Sequence, residues 1–202
     1  MKKMLMLMLV LLLGVSSAYA GTLDLMISGS GTTLQTISPI TPTKSSTVAP
    51  SDYLNLDIYY TGTAPLKLAS ISADITVTGN GTLSGIAVGS LTEPTGAWDT
   101  DLRWVTEVVA GKHYILDYSM NNGVAAVTDQ AVVALDHILF HCDGAGPVTI
   151  TMANNLLTNA GDTIETNMAR LNFGAPVTIT QVPEPATMIL LAAGGLFLKR
   201  RK

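Results

Sequence analysis

Residues 53–60 read YLNLDIYY, with Leu54, Leu56, Ile58 and Tyr60 at one parity and Tyr53, Asn55, Asp57 and Tyr59 at the other. A period of two puts the two sets on opposite faces of extended backbone, which predicts a half-buried antiparallel strand. Thr61-Gly62-Thr63-Ala64-Pro65 follows as a turn. In LKLASISADITV the apolar set runs Leu66, Leu68, then Ile71, Ala73, Ile75 and Val77, so the phase slips by one residue near Ala69 and Ser70. An extra residue in one strand produces such a slip, and a β-bulge is expected there. Further on, Val132, Ala134, Ile138, Phe140 and Cys142 share a parity, and after Asp143-Gly144-Ala145-Gly146-Pro147 the apolar set resumes at Val148, Ile150 and Met152. Two strands around a short glycine-rich turn predict a hairpin. A second hairpin turn is expected at Asn80-Gly81-Thr82. Leu23, Leu25 and Ile27 suggest an opening strand, Ala175, Val177 and Ile179 a closing one, and the Ser/Thr/Pro-rich stretch from Ser28 to Pro50 a loop or irregular edge. Many short strands, frequent turn residues, no sustained 3.6-residue period and no internal repeat predict an all-β antiparallel β-sandwich of jelly-roll or Ig-like type.

The two ends follow other patterns. Lys2 and Lys3 precede an apolar run from Met4 to Leu13 and then Ala18-Tyr19-Ala20. Charged, apolar and small-residue parts in this order read as a secretory signal peptide cleaved after Ala20. At the other end Val182-Pro183-Glu184-Pro185 leads into an apolar run from Ala186 to Leu198 and then Lys199, Arg200, Arg201 and Lys202. As a helix that run is only ~20 Å long against a ~30 Å hydrocarbon core, so it reads as a short, transient stop in the inner membrane whose basic tail stays cytoplasmic. The expected organisation is a signal peptide over 1–20, a sandwich domain over 21–181 and a sorting segment over 182–202.

The Pro-Glu-Pro triplet, the short apolar segment and the basic tail together resemble the PEP-CTERM sorting signal of Gram-negative bacteria. The resemblance covers the last 21 or so residues and implies that Pro183, Glu184 and Pro185 are recognition residues for an exosortase, a membrane-embedded processing enzyme. Lys199, Arg200, Arg201 and Lys202 are the implied membrane stop. Proteins of that family are commonly tied to exopolysaccharide or biofilm matrix, so the resemblance implies export to the cell surface or extracellular matrix. A second resemblance rests on Leu135, Ile138 and Phe140, the polar glycine turn, and the alternating Val148-Thr149-Ile150-Thr151, with the Leu54–Tyr60 and Ile71–Val77 strands in matching order. These resemble cohesin-like and related carbohydrate-binding β-sandwiches, across Thr22 to Gln181. Cohesins bind dockerin modules, but no residue here identifies a dockerin-binding face, so the resemblance carries the fold alone.

The ends also distort the composition, because much of the positive mean hydropathy comes from them. From Gly21 to Gln181 the basic residues are Lys44, Lys67, Arg103, Lys112 and Arg170, against fourteen Asp and Glu, a net of about −9. Nucleic-acid phosphates need a basic footprint, so nucleic acid is not an expected partner. Cys142 is the only cysteine, which leaves the fold to stand on packing alone or on a bound ion, and its inward parity predicts a buried structural thiol.

Candidate chemistry is sparse. His137 and His141 fall about 13 Å apart on a strand, too far to share one ion. In GAWDTDLRW, Asp99 and Asp101 alternate beside Trp98 and Trp104. Alternate aspartates in a loop can converge on calcium, but the glycine and closing glutamate of an EF-hand are absent, so solvated loop carboxylates are the competing reading. Trp98, Trp104, Tyr53 and Tyr59 could offer flat rings to sugars, with Asn55 and Asp57 meeting hydroxyls. The ordinary reading is a core tryptophan and tyrosines covering a sheet. Nucleophile-elbow, zinc-protease and phosphate-loop motifs are absent from the sequence. The expectation is a non-enzymatic structural or adhesion protein delivered by an exosortase-type system, the alternative being a carbohydrate-binding module associated with exopolysaccharide.

Overall fold

The computed structural model describes residues 21–62, 67–86, 103–125, 131–154 and 172–182. These form two sheets packed face to face. The strands are β1 (Thr22–Gly31), β2 (Ser38–Thr43), β3 (Ser45–Val48), β4 (Tyr53–Thr61), β5 (Lys67–Thr78), β6 (Gly81–Ser84), β7 (Arg103–Val109), β8 (His113–Ala125), β9 (Val132–Cys142), β10 (Gly146–Asn154), β11 (Asn172–Phe173) and β12 (Val177–Gln181). The first sheet runs β11-β1-β4-β9-β6 with β2 also beside β1, and the second runs β3-β12-β10-β5-β8-β7. All pairings are antiparallel except β1 with β11 and β12 with β3. Among the described residues the helical structure is a single 3-10 turn at Leu34–Thr36.

The core is the set of inward positions that alternation predicts. Leu54, Leu56, Ile58 and Tyr60 of β4 are buried, as are Leu23, Leu25 and Ile27 of β1 and Ile138, Phe140 and Cys142 of β9. The second sheet answers with Ile71, Ala73, Ile75 and Val77, with Val148, Ile150 and Met152, and with Val177 and Ile179. Each such side chain stabilises by about 1.5–3 kcal/mol when fully buried, and this is what holds the layers together without a disulfide. The expected slip in β5 is present, since the register with β8 shifts between Leu68 and Ser70.

Four local expectations need correction, and three share one cause. β9 and β10 do not form a hairpin: β9 lies in the first sheet between β4 and β6, and β10 in the second between β12 and β5. Gly79 and Asn80 likewise carry the chain from β5 in the second sheet to β6 in the first. The stretch from Ser28 to Pro50 continues β1 and then contributes edge strand β2 to the first sheet and β3 to the second. In each case a glycine, lysine or proline turn crosses between layers, and alternation looks identical whether the next strand pairs with its predecessor or faces it across the core. The closing strand begins at Val177, and Ala175 is exposed in the segment before it.

Crossing between layers strips backbone groups of their ladder partners, and side chains replace them at one end of the sandwich. The buried Gln181 amide donates to the Asn80 carbonyl (2.6 Å) and accepts from the Gly144 N–H (3.2 Å), while Asn80 donates to the Ala145 carbonyl (3.1 Å). Lys112 in the β7–β8 turn donates to the carbonyls of Gly79 (2.7 Å) and Gly81. On the open side Lys44, the single residue between β2 and β3, donates to the carbonyls of Leu25 (2.6 Å) and Ala175 (2.7 Å) and pairs with Asp24. It thereby ties two crossings together. Gly79 sits at φ +106, and a Cβ there would lie 2.3 Å from the Pro147 carbonyl oxygen. A Gly79→Ala variant is therefore expected to lose about 2 kcal/mol or more, read as a lowered denaturant midpoint at unchanged m-value.

Candidate binding face

The outer face of β4 carries Tyr53, Asn55, Asp57 and Tyr59, and β1 and β9 flank it. Tyr53 stands opposite His141, with ring centroids 4.7 Å apart and planes tilted by 45°. His141 Nδ1 lies 2.6 Å from Asp143 Oδ1, which also accepts from the Thr82 hydroxyl at 3.3 Å. At the other end Tyr59 lies opposite Asp24 and Val133. Six residues separate the tyrosines, so about 20 Å of sheet lies between them.

Asp57 occupies the middle and departs from simple alternation. It is only 7% exposed although it points away from the core. The reason lies on β9, where Leu135 pairs with Ile58 and Ile138 with Leu56, leaving Asp136 and His137 together against the single residue Asp57. This is a bulge, with His137 at φ 67 in the left-handed region. The bulge turns the His137 N–H toward Asp57 Oδ1 (3.4 Å), which also accepts from the Asn55 amide (2.8 Å). Asn55 donates in addition to the Ser28 hydroxyl (2.8 Å). Burial raises the Asp57 pKa above its ordinary value, the nearby Asp136 raises it further, and the bonds from Ser28, His137 and Asn55 offset part of the rise. Burial also raises the Tyr59 phenol, with Asp57 and Asp136 adding to it.

Ser28 and Asp136 were not among the residues read as site candidates, and His137 and His141 were weighed only as a metal pair. One signal was available: Leu135 and Ile138 are both apolar yet three apart, which extended backbone can accommodate only with an extra residue. Each described histidine has its own aspartate, His137 with Asp136 (2.7 Å), His141 with Asp143 (2.6 Å) and His113 with Asp74 (3.5 Å). Among the described residues no group of three or more His, Cys, Asp or Glu side chains could hold a metal ion. Cys142 is buried as its parity predicts. Burial, with Asp52 and Asp143 adding to it, pushes its thiol up to about 12 and keeps it in the unreactive protonated form.

The aromatic candidates divide between the layers. Tyr53 and Tyr59 share the face just described, whereas Trp104 stands on β7 at the edge of the second sheet. Trp98, with Asp99 and Asp101 of the calcium expectation, lies outside the described residues. So do the N-terminal segment, Pro183, Glu184 and Pro185, and Lys199, Arg200, Arg201 and Lys202. Among the described residues no helix is long and apolar enough to cross a membrane.

Residues 181–202 match the PEP-CTERM protein-sorting motif. The chain thus carries the sorting motif of an exported protein at its C-terminus. No curated protein matches the sequence. Among solved structures, the type III cohesin module from the ScaE cell-surface anchoring scaffoldin of Ruminococcus flavefaciens is 13% identical, with a TM-score of 0.51 over 82% of this chain and 89% of that one. A non-cellulosomal cohesin from the archaeon Archaeoglobus fulgidus is 9% identical, with a TM-score of 0.45 over 84% and 96%. The cohesin–dockerin complex Coh-OlpC-Doc435 of Clostridium thermocellum matches at 7% identity and 0.45 over 83% and 99%. The body is a cohesin-like β-sandwich.

The raised Asp57 pKa makes the folded chain the tighter proton binder between the ordinary value of 3.8 and the raised one. Stability from this group is greatest below 3.8 and falls as pH rises toward the raised value, then stays level. Asp57→Asn keeps an acceptor for the Asn55 and His137 bonds but has no charge to bury. Its thermal midpoint should equal or exceed that of the wild type at neutral pH, with the difference shrinking as pH is lowered through the carboxylate range.

Proposed function

We propose that this is an exported, non-enzymatic structural or adhesion protein whose sandwich is delivered to the cell surface or extracellular matrix by an exosortase-type system reading Pro183, Glu184 and Pro185. The sorting motif over 181–202 carries this reading. The way the body ends supports it. Gln181 is buried, and the Val182 N–H donates to the Val48 carbonyl at 2.9 Å, so Pro183 follows directly on the last anchored residue of the fold.

The docking function is assigned to the first sheet's outer face. Tyr53, His141, Asn55 and Tyr59 offer rings and hydrogen-bonding groups on regular strands, where each position is held by pairing on both sides. The likeness to a module from a cell-surface anchoring scaffoldin agrees with a role at the cell surface. Tyr53 and Tyr59 also keep the sugar-contact expectation open on it.

Deleting residues 182–202 should release the domain from cells, measured as transfer of the protein from the cell-associated to the soluble fraction. Retention at the wild-type level overturns the sorting reading. Separately, Tyr53→Ala in the otherwise intact chain should reduce cell-to-matrix adherence several-fold while leaving export and the thermal midpoint near wild type. Unchanged adherence removes this face from the reading.

A further inference from the structure

The second sheet presents outward threonines in register. The segments Thr76-Val77-Thr78, Thr149-Ile150-Thr151 and Thr178-Ile179-Thr180 lie on three neighbouring strands, with the middle residue of each buried. Pairing aligns Ser45, Thr178, Thr149 and Thr78 in one row across β3, β12, β10 and β5. Thr151 stands beside Thr76 in a second row, and Thr47 beside Thr180 in a third. Neighbours in a row are about 4.8 Å apart, and alternate residues along a strand about 6.7 Å apart. Ser45, Thr47, Thr78, Thr151, Thr178 and Thr180 are exposed, and Thr76 and Thr149 half-exposed.

Two features separate this face from ordinary solvated sheet. Among the described residues the only protein bond from these hydroxyls is a long one, Thr151 to the Thr76 carbonyl at 3.5 Å. The others are free to bond outward. The face is also uncharged from β3 across to Asp74, in a body that carries five basic residues against fourteen acidic ones. We propose that this face is a docking surface for a neutral, extended polysaccharide.

Charge and sheet twist favour that occupant over three others. An anionic polymer or a second copy of this acidic chain meets net repulsion that a neutral chain does not. A rigid crystalline lattice such as ice needs planarity, whereas paired strands rotate by roughly 20–25° from one to the next. A flexible glycan can follow one twisted row. Its hydroxyls exchange water for threonine hydroxyls at about one bond per step, while the threonine methyl groups cover the C–H faces of the sugar rings. Each bond contributes modestly on its own, so binding depends on several being made along one polymer. The inference extends the adhesion reading to a second face and does not use Tyr53, so the two can fail separately.

The test is co-sedimentation of the full-length protein, in mild detergent, with three insoluble neutral polysaccharides: acid-swollen amorphous cellulose, linear mannan and granular starch. Saturable retention on at least one is expected, unchanged between about 0.05 and 0.5 M salt because no charges are involved. The Thr149→Val, Thr178→Val double variant keeps β-branched residues on the strands and should bind about tenfold or more weakly, whereas the Thr149→Ser, Thr178→Ser variant should retain binding. Retention on none of the three, loss of retention with salt, or equal binding by the valine variant overturns the proposal. Inhibition of ice growth, or self-association abolished by the valine changes, with no polysaccharide retained, reassigns the face and also overturns it.

Discussion

The structure depends on how backbone groups are satisfied where the chain leaves one layer for the other. Strands supply their own partners, but a residue between sheets has none, and the cost of an unpaired buried group is about 1–3 kcal/mol. At one end of the sandwich the Gln181 amide, the Asn80 amide and the Lys112 ammonium meet these demands for the β5–β6 and β9–β10 crossings. Lys44 does the same on the open side, joining the β2–β3 crossing to the segment before β12. Gln181, the last buried side chain among the described residues, is also the first residue of the matched sorting motif.

Closing the sandwich this way leaves two unlike outer faces. That of the first sheet is aromatic and acidic, and a bulge on β9 turns Asp136 and His137 against Asp57, burying a carboxylate there. That of the second is uncharged and ruled by aligned threonines from β3 across to Thr76 and Thr78 of β5, with Asp74, His113 and Asp117 beyond. The core asks only that every second residue be apolar, so the remaining positions are free to differ between layers. Tyrosine and histidine suit selective contacts with a shaped partner, while a repeated hydroxyl suits a repeated ligand.

Much of the architecture was legible from parity. The buried residues of β1, β4, β5 and β12, the slip near Ala69 and Ser70, and the inward Cys142 all follow from alternation, because burial on one face imposes a period of two wherever a strand is half-covered. The C-terminal motif was legible because its parts are contiguous and need no folding to be read. The candidate face was legible in part: Tyr53, Asn55, Asp57 and Tyr59 fall on one parity, but their neighbours across the sheet do not follow from local sequence.

What the sequence alone determined is local: which positions are apolar at period two, where the turns fall, the acidity of the body and the nature of its tail. The tertiary structure decided which layer each strand joins, and so turned the two expected hairpins at Asn80 and Asp143 into crossings. It also decided register, which brings His141 to Tyr53, closes the β9 bulge over Asp57 and lines up threonines as far apart in the chain as Thr47 and Thr180. The physical reason is that an inward residue gains the same burial from a hairpin neighbour as from a facing sheet. Only the joint packing of all strands separates the two arrangements.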